Sequence, residues 1–202
     1  MIDFAATFIF FFAVIDPIGT VPVFIAVTSG FGNQAKRKIA VQATLISALI
    51  LLFFVAVGEI ILIAIDIPLA AFQIAGGLVL FLFALTMIFG ESKPEEELKI
   101  AGSASETAIF PLAVPSIASP GAMLAAVLLT ENHRYSLFEQ LQTSLMMLCV
   151  LLLALVLMLV AGRVHDLIGT GGASIISRVM GLILASVAVN NVLSGIQEYF
   201  AL

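Results

Sequence analysis

The chain has 202 residues, 62% of them hydrophobic and only 10% charged, with a net charge of -5 and a mean hydropathy of +1.22. A soluble domain carries about 45–50% apolar and about 25% charged residues, so the composition excludes an ordinary soluble globule and makes lipid the solvent. No basic run is longer than Lys36-Arg37-Lys38, which argues against a nucleic-acid binder, and the single cysteine, Cys149, cannot form an internal disulfide.

The opening "MIDFAATFIFFFAVID" lacks a basic leader, carries Asp3 and shows no small-residue cleavage site. It reads as a retained first span, not a signal peptide. A spanning helix needs about 20 mostly apolar residues, and hydrophilic breaks leave six such stretches, at approximately 4–29, 40–63, 68–89, 108–130, 138–161 and 176–200. The links leave no room for a soluble domain. Residues 1–202 therefore read as one membrane domain, with a first half of about 1–90, a cytoplasmic loop of about 91–106 and a second half of about 107–202. The Glu95-Glu96-Glu97 run in the loop reads as a solvated surface. Lys36, Arg37, Lys38, Lys93, Lys99, Arg163 and Arg178 follow or flank spans 1, 3 and 5, against Arg134 alone after spans 2 and 4. The positive-inside rule then places the odd-numbered loops in the cytoplasm and both termini outside. Asp3, Glu59, Asp66, Glu131 and Glu198 fall on or near the outer face.

Span 1 is interrupted by "VIDPIGTVP", with Asp16, Pro17, Gly19, Thr20 and Pro22, and span 4 by "FPLAVPSIASPGAM", with Pro111, Pro115, Ser116, Ser119, Pro120 and Gly121. Shifting the sequence by 103 residues puts Asp16-Pro17 on Ser119-Pro120, and a shift of 105 puts Gly76 on Gly181 and Gly90 on Gly195. Three spans per half make the second half enter from the opposite side, the topology of an inverted repeat. Proline removes a donor and stops or kinks a helix. The freed backbone groups must be buried in protein or line a watered cavity, and paired interruptions of this kind point to a transporter's binding site. The plainer alternative is that each proline only kinks its helix.

A carboxylate at mid-span costs at least about 2.5–3.5 kcal/mol and usually faces the interior of the bundle. Asp16 lies about twelve residues into span 1, roughly 18 Å at 1.5 Å per residue. It serves as a proton carrier, a cation ligand or a partner for a substrate ammonium, or else it caps the half-helix that starts at Pro17. Both roles can coexist. Span 6 carries Ser186, Asn190 and Ser194 at four-residue spacing, with Asn191 beside them. These either hydrogen-bond between helices or, for Asn190 and Asn191, point into the site. Span 3 offers Gln73 and Thr86, and its Gly76-Gly77 pair reads as a close-packing contact. Span 5, "LMMLCVLLLALVLMLV", is apolar all round and reads as lipid-facing scaffold.

His133 and His165 are far apart, no cysteine cluster exists and "GTGG" at 169–172 lacks the Lys-Ser/Thr of a nucleotide loop. Asp16 has no second deep carboxylate with which to form a hydrolytic dyad. No enzyme chemistry, metal or cofactor is therefore expected, beyond coupling to H+ or Na+. "DPIGTVPVF" in span 1, "AGG" before an apolar run in span 3 and "PLAVPSIASPGAM" opening span 4 resemble the MarC family of six-span bacterial inner-membrane proteins over nearly the whole chain. The family's archaeal relatives are described as neutral amino-acid transporters. Where the family's span 4 motif usually reads Gly-Pro-Gly this chain has Ser119, and Thr20 stands where Asn is frequent. The resemblance implies an inner-membrane protein moving a small neutral amino acid of the glycine, alanine or serine type. The expected architecture is an all-α bundle of two inverted three-helix repeats with helices 1 and 4 broken. Substrate or ion binding is expected at Asp16, Pro17, Gly19, Thr20, Ser116, Ser119, Pro120, Gly121, Asn190 and Asn191. A channel or exporter for another small solute, and a non-transporting membrane scaffold, are the alternatives. A bundle this thin suits a homo-oligomer.

Overall fold

The structure is a computed structural model that describes residues 3–89, 103–132 and 134–200. Among the described residues every regular element is helical. Helices α1 (Phe4–Ile15) and α2 (Pro17–Val27) form the first span, α3 (Asn33–Ala64) the second and α4 (Leu69–Phe89) the third. The short α5 (Ala104–Thr107) leads into a widely wound segment, Ala108–Ile117, and then α6 (Pro120–Leu128). α7 (Leu137–Leu159) and α8 (Ala161–Phe200) follow. Among the described residues five helical stretches are long and apolar enough to cross a membrane, and the pair Ala104–Ile117 and Pro120–Leu128, bent by 59°, reaches that length only when its two arms are taken together.

Local signals set the ends. Asp3 caps α1, its carboxylate accepting from the N–H groups of Ala5 and Ala6. Ser103 with Glu106, and Ser136 with Glu139, form reciprocal capping boxes at the starts of α5 and α7. Asp66 turns left-handed (φ 57) at the end of α3, where the N–H of Ile67 donates to Leu62 O at 2.9 Å. That is a helix-ending turn of the Schellman type, with Pro68 just beyond it.

Several boundaries differ from the sequence-based expectation. The second span starts at Asn33, not near 40, so Lys36, Arg37 and Lys38 sit in its first turns. Polar residues at a helix start can remain in the interface while the helix continues. α8 runs from Ala161 and kinks at Gly169 (φ 69), so the "GTGG" stretch lies within this helix. Gly90, Lys93, Lys99, the Glu95–Glu97 run and His133 lie outside the described residues, as does the side chain of His165.

Span 1 is the buried centre. Its most apolar stretch is 61% buried, against 22% for α4 and 39% for α7. Phe11, Val14 and Ile15 of α1 and Val23 of α2 are fully covered. α7 is not mere scaffold: Met147, Val150, Leu151, Ala154 and Met158 are buried, because this helix supports α1, α2 and α3. Large apolar side chains point outward elsewhere, among them Leu45, Leu49, Phe53, Leu82 and Leu182. In water they would form apolar patches far larger than soluble proteins tolerate.

The packing has a regular pattern. α1 and α2 rest on α7, as the wide segment and α6 rest on α3. α2 packs on α8, as α6 packs on α4. Exchanging first-half elements for second-half ones maps these contacts onto themselves. α4 and α8 run antiparallel: a Cβ on Gly77 would lie 3.0 Å from Ala188 O, one on Gly181 would lie 2.9 Å from Ile88 and one on Gly195 would lie 3.0 Å from Ala70 O. The glycines let the two backbones approach, as the small-residue pattern implies.

Candidate functional site

The break in span 1 is one residue wide. Asp16 adopts left-handed backbone angles (φ 49, ψ 65). Its N–H donates to Phe12 O at 3.0 Å and closes α1. Its carboxylate Oδ1 accepts from the Gly19 N–H at 2.9 Å and opens α2. Left-handed backbone costs a side-chain-bearing residue roughly 1–2 kcal/mol, least for Asn and Asp, and an N-cap returns about 1 kcal/mol. Pro17 takes the first helical position, where its missing N–H is no loss. A Cβ on residue 19 would stand 2.0 Å from Asp16 Oδ2, so the carboxylate can fold over this turn only because Gly19 has no side chain. The two half-helices still pass as one span, Phe4–Val27, without a sharp bend.

The break in span 4 is wider. Phe110 and Val114, each just before a proline, take extended backbone angles (φ -131, ψ 125 and φ -132, ψ 126) that interrupt the helical ladder, and the Ala118 N–H reaches back five residues to Ala113 O at 2.8 Å. The axis then bends by 59°. Ser119 opens α6, its Oγ accepting from the Ala122 N–H at 3.1 Å. The same Oγ donates to Val14 O at 2.7 Å, a carbonyl of the last turn of α1 that the turn at Asp16 deprives of its helical donor. Thr20 Oγ1 donates to Asp16 O at 3.0 Å and lies 3.5 Å from Ser116 Oγ. Gly121 is buried against Leu80, whose Cδ1 would be 2.4 Å from an added Cβ.

The two interruptions therefore meet. Asp16, Thr20, Ser116 and Ser119 are each at most 2% exposed, and the N-termini of α2 and α6, the positive ends of their dipoles, both begin in this cluster. The sequence pairing of Asp16-Pro17 with Ser119-Pro120 corresponds to matched caps in space. Pro17, Gly19 and Gly121 are buried with them, whereas Pro120 is exposed.

Span 6 divides. Asn191 is 9% exposed and its amide nitrogen finds no hydrogen-bond partner among the described residues. Asn190 is exposed on the bundle surface, which removes it from the set expected to point inward. Successive residues on a helix are about 100° apart, so turning Asn191 inward turns Asn190 out. Ser186 is also exposed and donates to Leu182 O, and Thr86 likewise satisfies itself on Phe83 O.

A binding cavity at the breaks was expected; the cluster is instead closed by packing. A cavity of about 720 Å3 opens toward the basic end of the bundle, where the end of α2, the start of α3 and the α7–α8 junction meet. The sequence reading also missed Ser47, whose Oγ bridges Ala43 O at 2.9 Å and Ala113 O at 3.3 Å and so ties α3 to the wide segment. Glu59, expected only on or near the outer face, is buried at 8% exposure and accepts from both the N–H and the side-chain amide of Asn132 at 2.7 Å. A lone serine or glutamate near a span gives no pattern to read. No group of three or more metal-ligating side chains occurs among the described residues.

The fold and the paired breaks define a polytopic, all-helical integral membrane protein. The model for the MarC family of integral membrane proteins matches residues 1–200, and the chain belongs to that family. It is 34% identical over 197 residues to the UPF0056 membrane protein MJ1677 of Methanocaldococcus jannaschii, covering 96% of each chain. It is 32% identical to a UPF0056 membrane protein of Archaeoglobus fulgidus, over 96% of this chain and 92% of the relative. The UPF0056 membrane protein YvbG of Bacillus subtilis is 29% identical, over 96% and 93%. No solved structure matches the chain.

Proposed function

We propose that this protein is a secondary transporter of small neutral amino acids in the inner membrane, built from two inverted halves with both termini outside. The observation that carries this reading is the contact between the two interruptions: Ser119 on Val14 O at 2.7 Å and Thr20 against Ser116 at 3.5 Å. The exchange pattern in the packing supports the inverted halves, and the bias of basic residues supports the orientation.

In this reading the closed cluster is the occluded, substrate-free arrangement. Parting the breaks exposes Val14 O and the Asp16 carboxylate, which suit an ammonium, and the hydroxyls and helix-start amides, which suit a carboxylate. A net hydrogen bond is worth about 0.5–1.5 kcal/mol, so the polar part of separating the two contacts is only about 1–3 kcal/mol. A zwitterion that replaces them can offset that cost. Asp16 carries the fixed negative charge, and a proton or sodium ion balances it. The protein performs no enzyme chemistry.

Flux of labelled alanine into proteoliposomes tests the function, and Asp16→Asn tests the mechanism. Asparagine caps a helix about as well as aspartate, so the variant keeps the break and loses only the charge. It should melt within a few degrees of the parent while losing flux and its pH or sodium dependence. Unchanged, still coupled flux in Asp16→Asn would refute the role of the carboxylate, and no flux of any neutral amino acid by the parent would refute the function.

A further inference from the structure

The cavity at the basic end does not belong to the paired breaks and has its own chemistry. Its volume of about 720 Å3 lies inside the range of about 300–1,000 Å3 that holds a ligand of drug size. At about 30 Å3 per water it takes some two dozen waters, far more than a bare ion needs. Among the described lining residues the charged ones are Lys36, Arg37 and Arg163, and none is acidic, in a chain of net charge -5. Lys36 and Arg37 stand in the first turns of α3, and Arg163 faces them from the start of α8. Asn33, the first residue of α3, also lines the cavity, and no side chain caps that helix. Its positive end adds to the same field. The inner wall is apolar, with Phe24 and Met158.

A cationic rim over an apolar wall matches a ligand with an anionic head and an apolar body. We infer that this cavity is a binding site for a phosphate group, and that its apolar wall seats the upper chain of an anionic phospholipid whose headgroup engages Lys36, Arg37 and Arg163. Basic pockets between helices near the membrane surface recognise phosphorylated lipid heads in this way. Guanidinium groups add the bidentate geometry that phosphate oxygens accept.

The test is titration of the purified full-length protein with phosphatidylglycerol, phosphatidylcholine and inorganic phosphate, read by native mass spectrometry and by thermal stability. Saturable binding of phosphatidylglycerol, with phosphatidylcholine inert, is the expected result. Lys36→Gln, Arg37→Gln and Arg163→Gln should each weaken binding about fivefold, and the triple variant about a hundredfold, at low salt. Lys38→Gln, exposed and off the lining, should leave it unchanged. These are surface charges, so the variants' melting without lipid serves as the folding control. Phosphatidylglycerol binding that inorganic phosphate cannot displace makes the lipid the ligand. Full competition by inorganic phosphate keeps the site and makes a free anion the ligand. Equal binding of phosphatidylcholine, or binding of both anions that survives the triple substitution, would overturn the inference.

Discussion

Replacing Ser119 by alanine isolates the link between the two interruptions. The serine Oγ makes two buried bonds, accepting from the Ala122 N–H at 3.1 Å and donating to Val14 O at 2.7 Å. Alanine removes an N-cap, at about 1 kcal/mol, and leaves Val14 O dry, at about 1–3 kcal/mol. The expected destabilisation is then about 2–4 kcal/mol, or roughly 5–15 °C at the 2–4 °C per kcal/mol typical of chains this long. A lower figure has its own argument. Side-chain hydrogen bonds inside membrane proteins average about 0.6 kcal/mol, so two of them would give only about 1.2 kcal/mol. The difference between these values measures how far the break depends on this one hydroxyl. Ser186→Ala is the control, because that hydroxyl is exposed and bonds only within its own turn; it should stay within about 0.5 kcal/mol of the parent. The chain has no tryptophan, so melting is best followed as loss of the monodisperse size-exclusion peak after heating. If Ser119→Ala melts together with Ser186→Ala, the Ser119–Val14 contact does not hold the breaks together.

Gly19→Ala should disrupt the cap at Asp16, since the new Cβ would stand 2.0 Å from Oδ2; expulsion of the carboxylate should cost about 1–3 kcal/mol and reduce flux, and normal melting with normal flux would show that the carboxylate does not need its present place. Gly195→Val should force α8 away from α4, where the backbone oxygen of Ala70 stands 3.0 Å from the added Cβ, at about 1–3 kcal/mol; a scan of melting against side-chain size at position 195 checks it. Glu59→Gln should weaken the double bond to Asn132, at about 1.5–3 kcal/mol; faster amide exchange confined to residues around 130–136 is the measurement, and unchanged protection there would contradict it.

Much of this was readable from order and composition. Lipid as solvent, the spans and the two interruptions follow from local properties: an apolar run, a proline that lacks a donor, a carboxylate too costly to strand in hydrocarbon. The cap at Asp16 is also local, because a short oxygen-bearing side chain before Pro favours a helix start; the matching cap at Ser119 came from the structure. What the one-dimensional string does not contain is which faces turn together. Asn190 and Asn191 are neighbours in sequence and were read alike, yet helix rotation buries one and exposes the other. α7 is apolar all round, and lipid and a protein core accept the same side chains; only tertiary contact shows that one face packs on α1, α2 and α3 while Leu145, Leu152 and Val156 point outward. The closure of the polar cluster, and the opening of a cavity under Lys36, Arg37 and Arg163 instead, depend on distances between segments about a hundred residues apart or more. No local propensity encodes such distances; tertiary packing alone sets them.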